Sequence, residues 1–275
     1  MKTALSPSRR SRLAFTLVEL LVVISIIGIL AALLLPVFGR VKMKTQIAKA
    51  KMETGQIVNA IHTYEADYSR FPVSSVGLVN AMNAAAAIKP AAGGPEDFTY
   101  GGAFKRPDGV TVNVAVPGLT YVTNNSEVMA VLLDAEYWPG PPTVPTINKD
   151  HVKNPQKTHY LNAAMATATN SPGIGLDGVY RDPWKNPYVI TVDLNYDDKA
   201  RDGFYRSYTV SADPTDSNTT KRGLNGLIPK GVGASAVYEA NSPVMVWSAG
   251  PDGMIDDTKN ANQGANQDNV LSWKQ

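Results

Sequence analysis

Ala14-Phe-Thr-Leu-Val-Glu-Leu-Leu-Val-Val-Ile-Ser-Ile-Ile-Gly-Ile-Leu-Ala-Ala-Leu-Leu-Leu-Pro36 is the stretch on which the fold turns. Residues 15–38 hold seventeen Leu, Ile, Val and Phe residues and one charge, Glu19. As a helix this run is about 36 Å long, enough to cross a hydrocarbon core of ~30 Å. Each large apolar residue favours insertion by roughly 0.3–0.6 kcal/mol, whereas one carboxylate costs about 3 kcal/mol at mid-membrane and less near an end. Insertion wins with Glu19 present. A carboxylate in lipid needs a partner or a position at the headgroups, so Glu19 is the first residue to carry a functional expectation.

Upstream lies a short basic leader with Lys2, Arg9, Arg10 and Arg12. Downstream, Arg40, Lys42 and Lys44 rival those charges, so topology is not settled by counting cations on each side. A secretory signal is a competing reading, with Ala31-Ala32 mimicking its cleavage site, although the apolar run continues through Leu35. Past Pro36 and Gly39, where a kink or loosened turn is expected, Met43, Ile47, Ala50, Thr54, Ile57, Ile61, Tyr64 and Tyr68 step by threes and fours. That spacing predicts one greasy helix face. Lys42, Lys44, Lys49, Lys51 and Glu53 mostly fall off it, and Phe71-Pro72 ends the helix. The prediction is a helix of about 50 residues, roughly 80 Å long.

The leader and the first residues of the run, Ala14-Phe-Thr-Leu-Val-Glu19, resemble the N-terminus of the type IV pilin and type II secretion pseudopilin superfamily. The resemblance implies cleavage between Ala14 and Phe15 by a prepilin peptidase, methylation of the new Phe15 amine, and pairing of that amine with Glu19 of a neighbouring subunit during assembly. Ala14 stands where the family usually has Gly. A second likeness lies in Asp182-Pro-Trp-Lys-Asn-Pro-Tyr-Val-Ile190, which resembles a segment of the major pseudopilins. Its prolines fix a turn, and residues 188–192 can pair as a strand.

The third likeness is C-terminal: Trp247-Ser-Ala-Gly-Pro-Asp-Gly-Met-Ile-Asp-Asp257 and Asn266-Gln-Asp-Asn-Val-Leu-Ser-Trp273 resemble the calcium loop of major pseudopilins. Hard cations want six to eight oxygens. The resemblance assigns Asp252 as first ligand, Asp268 with Asn269 as the closing pair, and a carbonyl from Ala249; Asp256 or Asp257 would compensate for the amide at Asn269. Asp-Gly and Asn-rich stretches are also ordinary turn formers. Asp193, Asn195, Asp197 and Asp198 are spaced like part of a calcium loop but lack a downstream bidentate Glu, and a solvated hairpin loop is the better reading.

Among the remaining segments, residues 74–89 predict a short second helix, residues 110–116 a half-buried strand, and Ser126 a cap for a helix over 127–136. Residues 204–210 and 244–248 read as further strands, and Gly93-Gly94-Pro95 as a loop. Trp184 is expected in the core. Of 26 basic residues nine precede residue 52, leaving 17 basic against 23 acidic beyond it, so no nucleic-acid footprint is expected. Cysteine is absent, which removes disulfides, thiolate metal sites and cysteine nucleophiles. His62, His151 and His159 lack zinc-ligand spacing, and no serine sits in a nucleophile elbow. The chain does not read as an enzyme.

The fold class expected is α+β: a pilin-like chain whose long N-terminal helix, transmembrane in its first half, packs on a small antiparallel sheet. Its parts are a leader at 1–14, a membrane half at 15–38, an amphipathic half at 39–70, and a globular domain at 71–275 with an insertion at about 90–180. The resemblance implies a single-pass inner-membrane protein with its globular domain in the periplasm. It implies assembly into a helical filament of identical subunits, with minor pseudopilins and a secretion assembly platform as partners. A type IV pilin for adhesion, motility or DNA uptake is the alternative within the class. A membrane-tethered enzyme or binding domain is the alternative outside it.

Overall fold

The computed structural model describes residues 17–88, 96–115, 123–140 and 142–274. Ala14, Phe15 and the Gly93-Gly94-Pro95 loop lie outside the described residues. Two compact units are present, Met1–Thr45 and Gln46–Gln275. Helix α1 runs from Leu17 to Tyr68 and is continuous across Pro36. Among the described residues it is the one helix long and apolar enough to cross a membrane, and its large side chains from Leu17 to Leu33 are exposed.

In chain order the globular unit then has α2 (Ser75–Ile88), β1 (Phe98–Tyr100), β2 (Gly102–Lys105), β3 (Thr111–Val114), α3 (Ser126–Leu132), β4 (Tyr137–Trp138) and β5 (Val144–Pro145). These are followed by β6 (Gly173–Ile174), β7 (Tyr180–Arg181), β8 (Val189–Val192) and the helical turn α4 (Tyr208–Ser211). The chain closes with β9 (Ile228–Lys230), β10 (Val237–Glu239), β11 (Val244–Ser248) and β12 (Val270–Leu271). The main sheet has the order β1-β8-β11-β12 and is antiparallel throughout, with Tyr100 opposite Ile190, Val246 opposite Ile190, and Ser248 opposite Val270. Its edge strand β1 comes from the segment that reads as an insertion in the sequence.

Both faces of this sheet are dry, because alternate side chains point to opposite sides. Ile190, Val192, Val244 and Val246 meet Ile57, Ile61 and Tyr64 of α1. Val189, Met245 and Trp247 meet a second apolar layer of Phe204, Tyr205, Tyr238 and Leu271. The predicted helix face is buried at Ala50, Thr54, Ile57, Ile61 and Tyr64, but Met43 and Ile47 remain 40% and 38% exposed. Glu53, placed off that face by spacing alone, is buried and accepts a hydrogen bond from Tyr188 Oη at 2.6 Å. At the end of α1, Tyr64 and Tyr68 donate to Lys153 O and Asn154 Oδ1, and Tyr160 donates to Asp67. Those bonds clasp residues 153–160 onto the helix. Ser69, at φ 52°, supplies the left-handed residue just past the helix end.

Several local expectations change. Residues 204–210 form no strand: buried Asp202 accepts from Phe204 N and Tyr205 N, both at 2.8 Å, and winds the chain into a turn before α4. The other Asp202 oxygen accepts from Thr191 Oγ1 at 2.7 Å and Trp247 Nε1 at 3.1 Å. Helix α3 stops at Leu132 and is preceded by Asn125, whose amide is spent across the fold on Tyr180 and Tyr188 backbone. Asp193 is buried, not solvated, and accepts from Tyr196 N and Asp198 N. Trp184 is half-buried and outside both apolar clusters.

Asp202→Ala strands several buried donors at once, whereas Thr191→Val removes one. Asp202→Ala is expected to lower stability by about 3 kcal/mol or more and Thr191→Val by about 1 kcal/mol. Denaturant unfolding of the full chain in detergent micelles, followed by tryptophan fluorescence, measures both.

Candidate functional site

The two sequence segments that point to a C-terminal site, 182–190 and 247–273, are locked together. Asp182 is fully buried and accepts from Trp184 N, Asn186 N and Ser248 Oγ at 2.8, 2.9 and 2.5 Å. Burial pushes its carboxyl above the usual range, against the pull of those hydrogen bonds. Ser248 Oγ in turn accepts from Gly250 N, and Asn186 Nδ2 donates to Gly250 O at 2.9 Å. The turn at 182–187 therefore sets the exit of the chain from β11. Gly250 has φ +69°, and a Cβ there would sit 2.3 Å from Asp268 O, so only glycine fits.

This close approach brings the two ends of the loop together. Asp252 N donates to Asp268 Oδ2 at 3.3 Å, and Asp252 Oδ1 accepts from Met254 N. Asn269 donates its amide to Tyr205 Oη at 2.8 Å. Asp268 Oδ1 and Asn269 Oδ1 are buried without a hydrogen-bond partner. Burial first, and the Asp252 carboxylate second, push Asp268 up to about 6; burial also raises Asp252. Asp252 and Asp268, two of the residues the resemblance implies, thus face each other, while Asn269 follows Asp268 and turns its amide nitrogen to Tyr205.

Asp256 is not brought to them. Its carboxylate accepts from Thr258 N and Oγ1, and its own N–H donates to Asn266 Oδ1. Asp257 pairs with Arg106 at 3.2 Å. Among the described residues no three His, Cys, Asp or Glu side chains converge as a metal cluster. The oxygens on offer come from two carboxylates and one amide, with backbone carbonyls nearby. The two orphaned buried oxygens are of the kind a hard cation takes, and a cation held between Asp252 and Asp268 would relieve the repulsion between those carboxylates. Sequence reading missed Asp182, Asn186 and Ser248 as the lock. The Asx-turn pattern Asp182-Pro-Trp-Lys-Asn186 was the available signal.

Glu19, the other candidate, stands in the first turn of α1, where an acid is favoured by the helix dipole. Residues 9–35 match the model of the prokaryotic N-terminal methylation motif, which includes Ala14, Phe15 and Glu19. With that motif, the long helix and its small antiparallel sheet give an α+β, pilin-like fold.

Within that class the chain is similar to type II secretion system core protein G. Identity is 37% over 99 residues with the Aeromonas hydrophila protein, covering 36% of this chain and 66% of the relative. It is 34% over 97 residues with the Vibrio cholerae protein, covering 35% and 63%. The chain thus spans just under two thirds of the length of these relatives. It is also 45% identical over 49 residues to the type IV major fimbrial protein FimA of Dichelobacter nodosus, covering 18% of this chain and 31% of that one. No solved structure matches the chain.

The raised carboxyls have a sign that can be measured. A carboxyl whose folded value lies above its unfolded one stabilises the fold at low pH and loses that contribution as pH rises through the folded value. For Asp268 the window runs from about 4 to about 6. In chelator-treated protein, amide protection of residues 249–271, corrected for intrinsic exchange rates, is expected to fall as pH rises through this window. Asp268→Asn is expected to flatten the dependence.

Proposed function

We propose that the protein is a structural subunit of a type II secretion pseudopilus. Prepilin peptidase cuts between Ala14 and Phe15 and the Phe15 amine is methylated. The first half of α1 anchors the chain in the inner membrane, with the globular unit in the periplasm. Copies are then added to a helical filament on the inner-membrane assembly platform, alongside minor pseudopilins. The protein works by assembly and not by catalysis. The observation that carries this reading is the joint occurrence of the methylation motif over 9–35 and similarity to core protein G over 99 residues. The fimbrial likeness is confined to 49 residues, which favours a pseudopilin over a type IV pilin.

The apolar run and Glu19 divide the work of assembly. Exposed side chains such as Leu20, Ile24 and Ile27 prefer lipid before assembly and neighbouring helices after it. Glu19 meets the Phe15 amine of the next subunit and so sets the register, because a carboxylate in an apolar bundle is stable only when paired. The loop at 249–269 holds calcium in this reading, through Asp252, Asp268 and the Asn269 amide oxygen. The ion would neutralise the two carboxylates and fasten β12 to the end of β11. Asp256 contributes no oxygen to this set, and the amide at Asn269 lowers its charge and affinity. Calcium at pH 7 is then expected to restore protection of residues 249–271, and to fail in Asp252→Asn.

The processing step is tested by the N-terminal mass of the mature chain from cells with and without prepilin peptidase. A chain starting at methylated Phe15, lost without the peptidase, is the expected result. A start after Ala32, or an uncut chain in both strains, would contradict the proposal. Glu19→Ala is expected to be processed normally and to be lost from filaments.

A further inference from the structure

We infer that Arg40, Lys42 and Lys44 form a binding girdle for anionic phospholipid headgroups at the end of the membrane-spanning run. The inference rests on the membrane-anchored reading of α1 and goes beyond it by naming a lipid class and the residues that select it. All three residues lie in the unit that ends at Thr45, and all three are exposed. From Leu17 to Phe38 the helix covers about 33 Å, slightly more than a hydrocarbon core of ~30 Å. Arg40 is therefore at the level where phosphate groups begin. Arg40 and Lys44 are four residues apart and share a face; Lys42 is turned about 200° from Arg40. Together they ring the helix.

Among the described residues no side chain forms an ion pair with this ring. No acidic residue occurs between Glu19 and Glu53, so none lies within helical reach of Arg40, Lys42 or Lys44, three or four positions away. Their aliphatic stems can lie along the apolar helix surface while the charged heads reach outward. The chemistry that answers three unpaired cations at headgroup depth is a lipid phosphate with net negative charge. Each cation near such a surface contributes about 1 kcal/mol, roughly a fivefold change in an association constant. A zwitterionic headgroup offers a phosphate balanced by its own cation and is the weaker ligand. The consequence is selection of the lipid shell around the unassembled subunit.

The test uses the full chain reconstituted in phosphatidylcholine bilayers with trace spin-labelled phosphatidylglycerol or spin-labelled phosphatidylcholine. Electron paramagnetic resonance then reads the motionally restricted lipid fraction. The expected result is a preference of about fivefold for the anionic probe at low salt. It should fall towards one in 1 M salt, where the screening length is about 3 Å. In the triple variant Arg40→Gln/Lys42→Gln/Lys44→Gln the restricted fraction should persist and the preference should be lost. A restricted fraction with no headgroup preference would overturn the inference, as would a preference unchanged in the triple variant, which would assign it to the leader cations. Absence of preference together with loss of self-association in the variant would give the cations to the acidic surface of a second copy instead. No restricted fraction with either probe would remove the membrane-spanning reading itself, a result distinct from the others.

Discussion

Apolar helix surface must be covered, and the rest of this protein follows from how α1 meets that demand. Over residues 17–33 its large side chains are exposed, and none of the described residues covers them. From Ala50 to Tyr64 the chain supplies its own cover, in the form of β8 and β11. One element is thereby assigned to two solvents. In the proposed assembly, exchange of lipid for neighbouring helices in the first stretch is a change from one apolar surrounding to another and costs little. In the proposed function, assembly and anchoring use the same surface twice.

The sheet that covers the helix is itself held from behind. Its outer face carries Val189, Met245 and Trp247, packed on the aromatic layer of Phe204 and Tyr205. Key polar groups inside this region are paired: Asp202 with the Trp247 indole and the turn at 204–205, and Glu53 with Tyr188. The same logic extends to the C-terminal loop. Asp182, Ser248, Asn186 and Gly250 fix where the chain leaves β11, and that exit determines where Asp252 faces Asp268. The two orphaned oxygens there are exceptions to the rule that buried polar atoms find partners, and they lie in the loop proposed to hold an ion.

Much of this was legible in the sequence. The apolar run, the stripe at 50–64, the helix over 74–89 and the strand at 244–248 each show one period strongly. Legibility failed where side chains act on distant backbone. Residues 204–210 have strand-like composition, but Asp202 takes their first amides and turns them. Asp193 looks like a surface acid, yet its neighbours' amides make it a buried turn centre. Glu53 sits off the ideal stripe and is buried all the same, because Tyr188, far along the chain, offers it a hydroxyl. Met43 and Ile47 carry the period onward but stay more exposed than the stripe from Ala50 to Tyr64. Asp252 and Asp268 could be paired from the resemblance, whereas the contact of Asp256 with Thr258 could not be read from it.

The central claim is that the exposed apolar face of α1 is the surface through which copies meet. The absence of cysteine makes a direct measurement possible, since engineered thiols have no competitors. Paired substitutions such as Leu20→Cys with Ile27→Cys, scanned along residues 20–30, are oxidised in cells and resolved by denaturing electrophoresis. The account predicts a ladder of covalent multimers for particular pairs, present with prepilin peptidase and absent without it. No ladder from any pair, with equal cross-linking from pairs on the globular surface such as Tyr196→Cys with Val232→Cys, would contradict it.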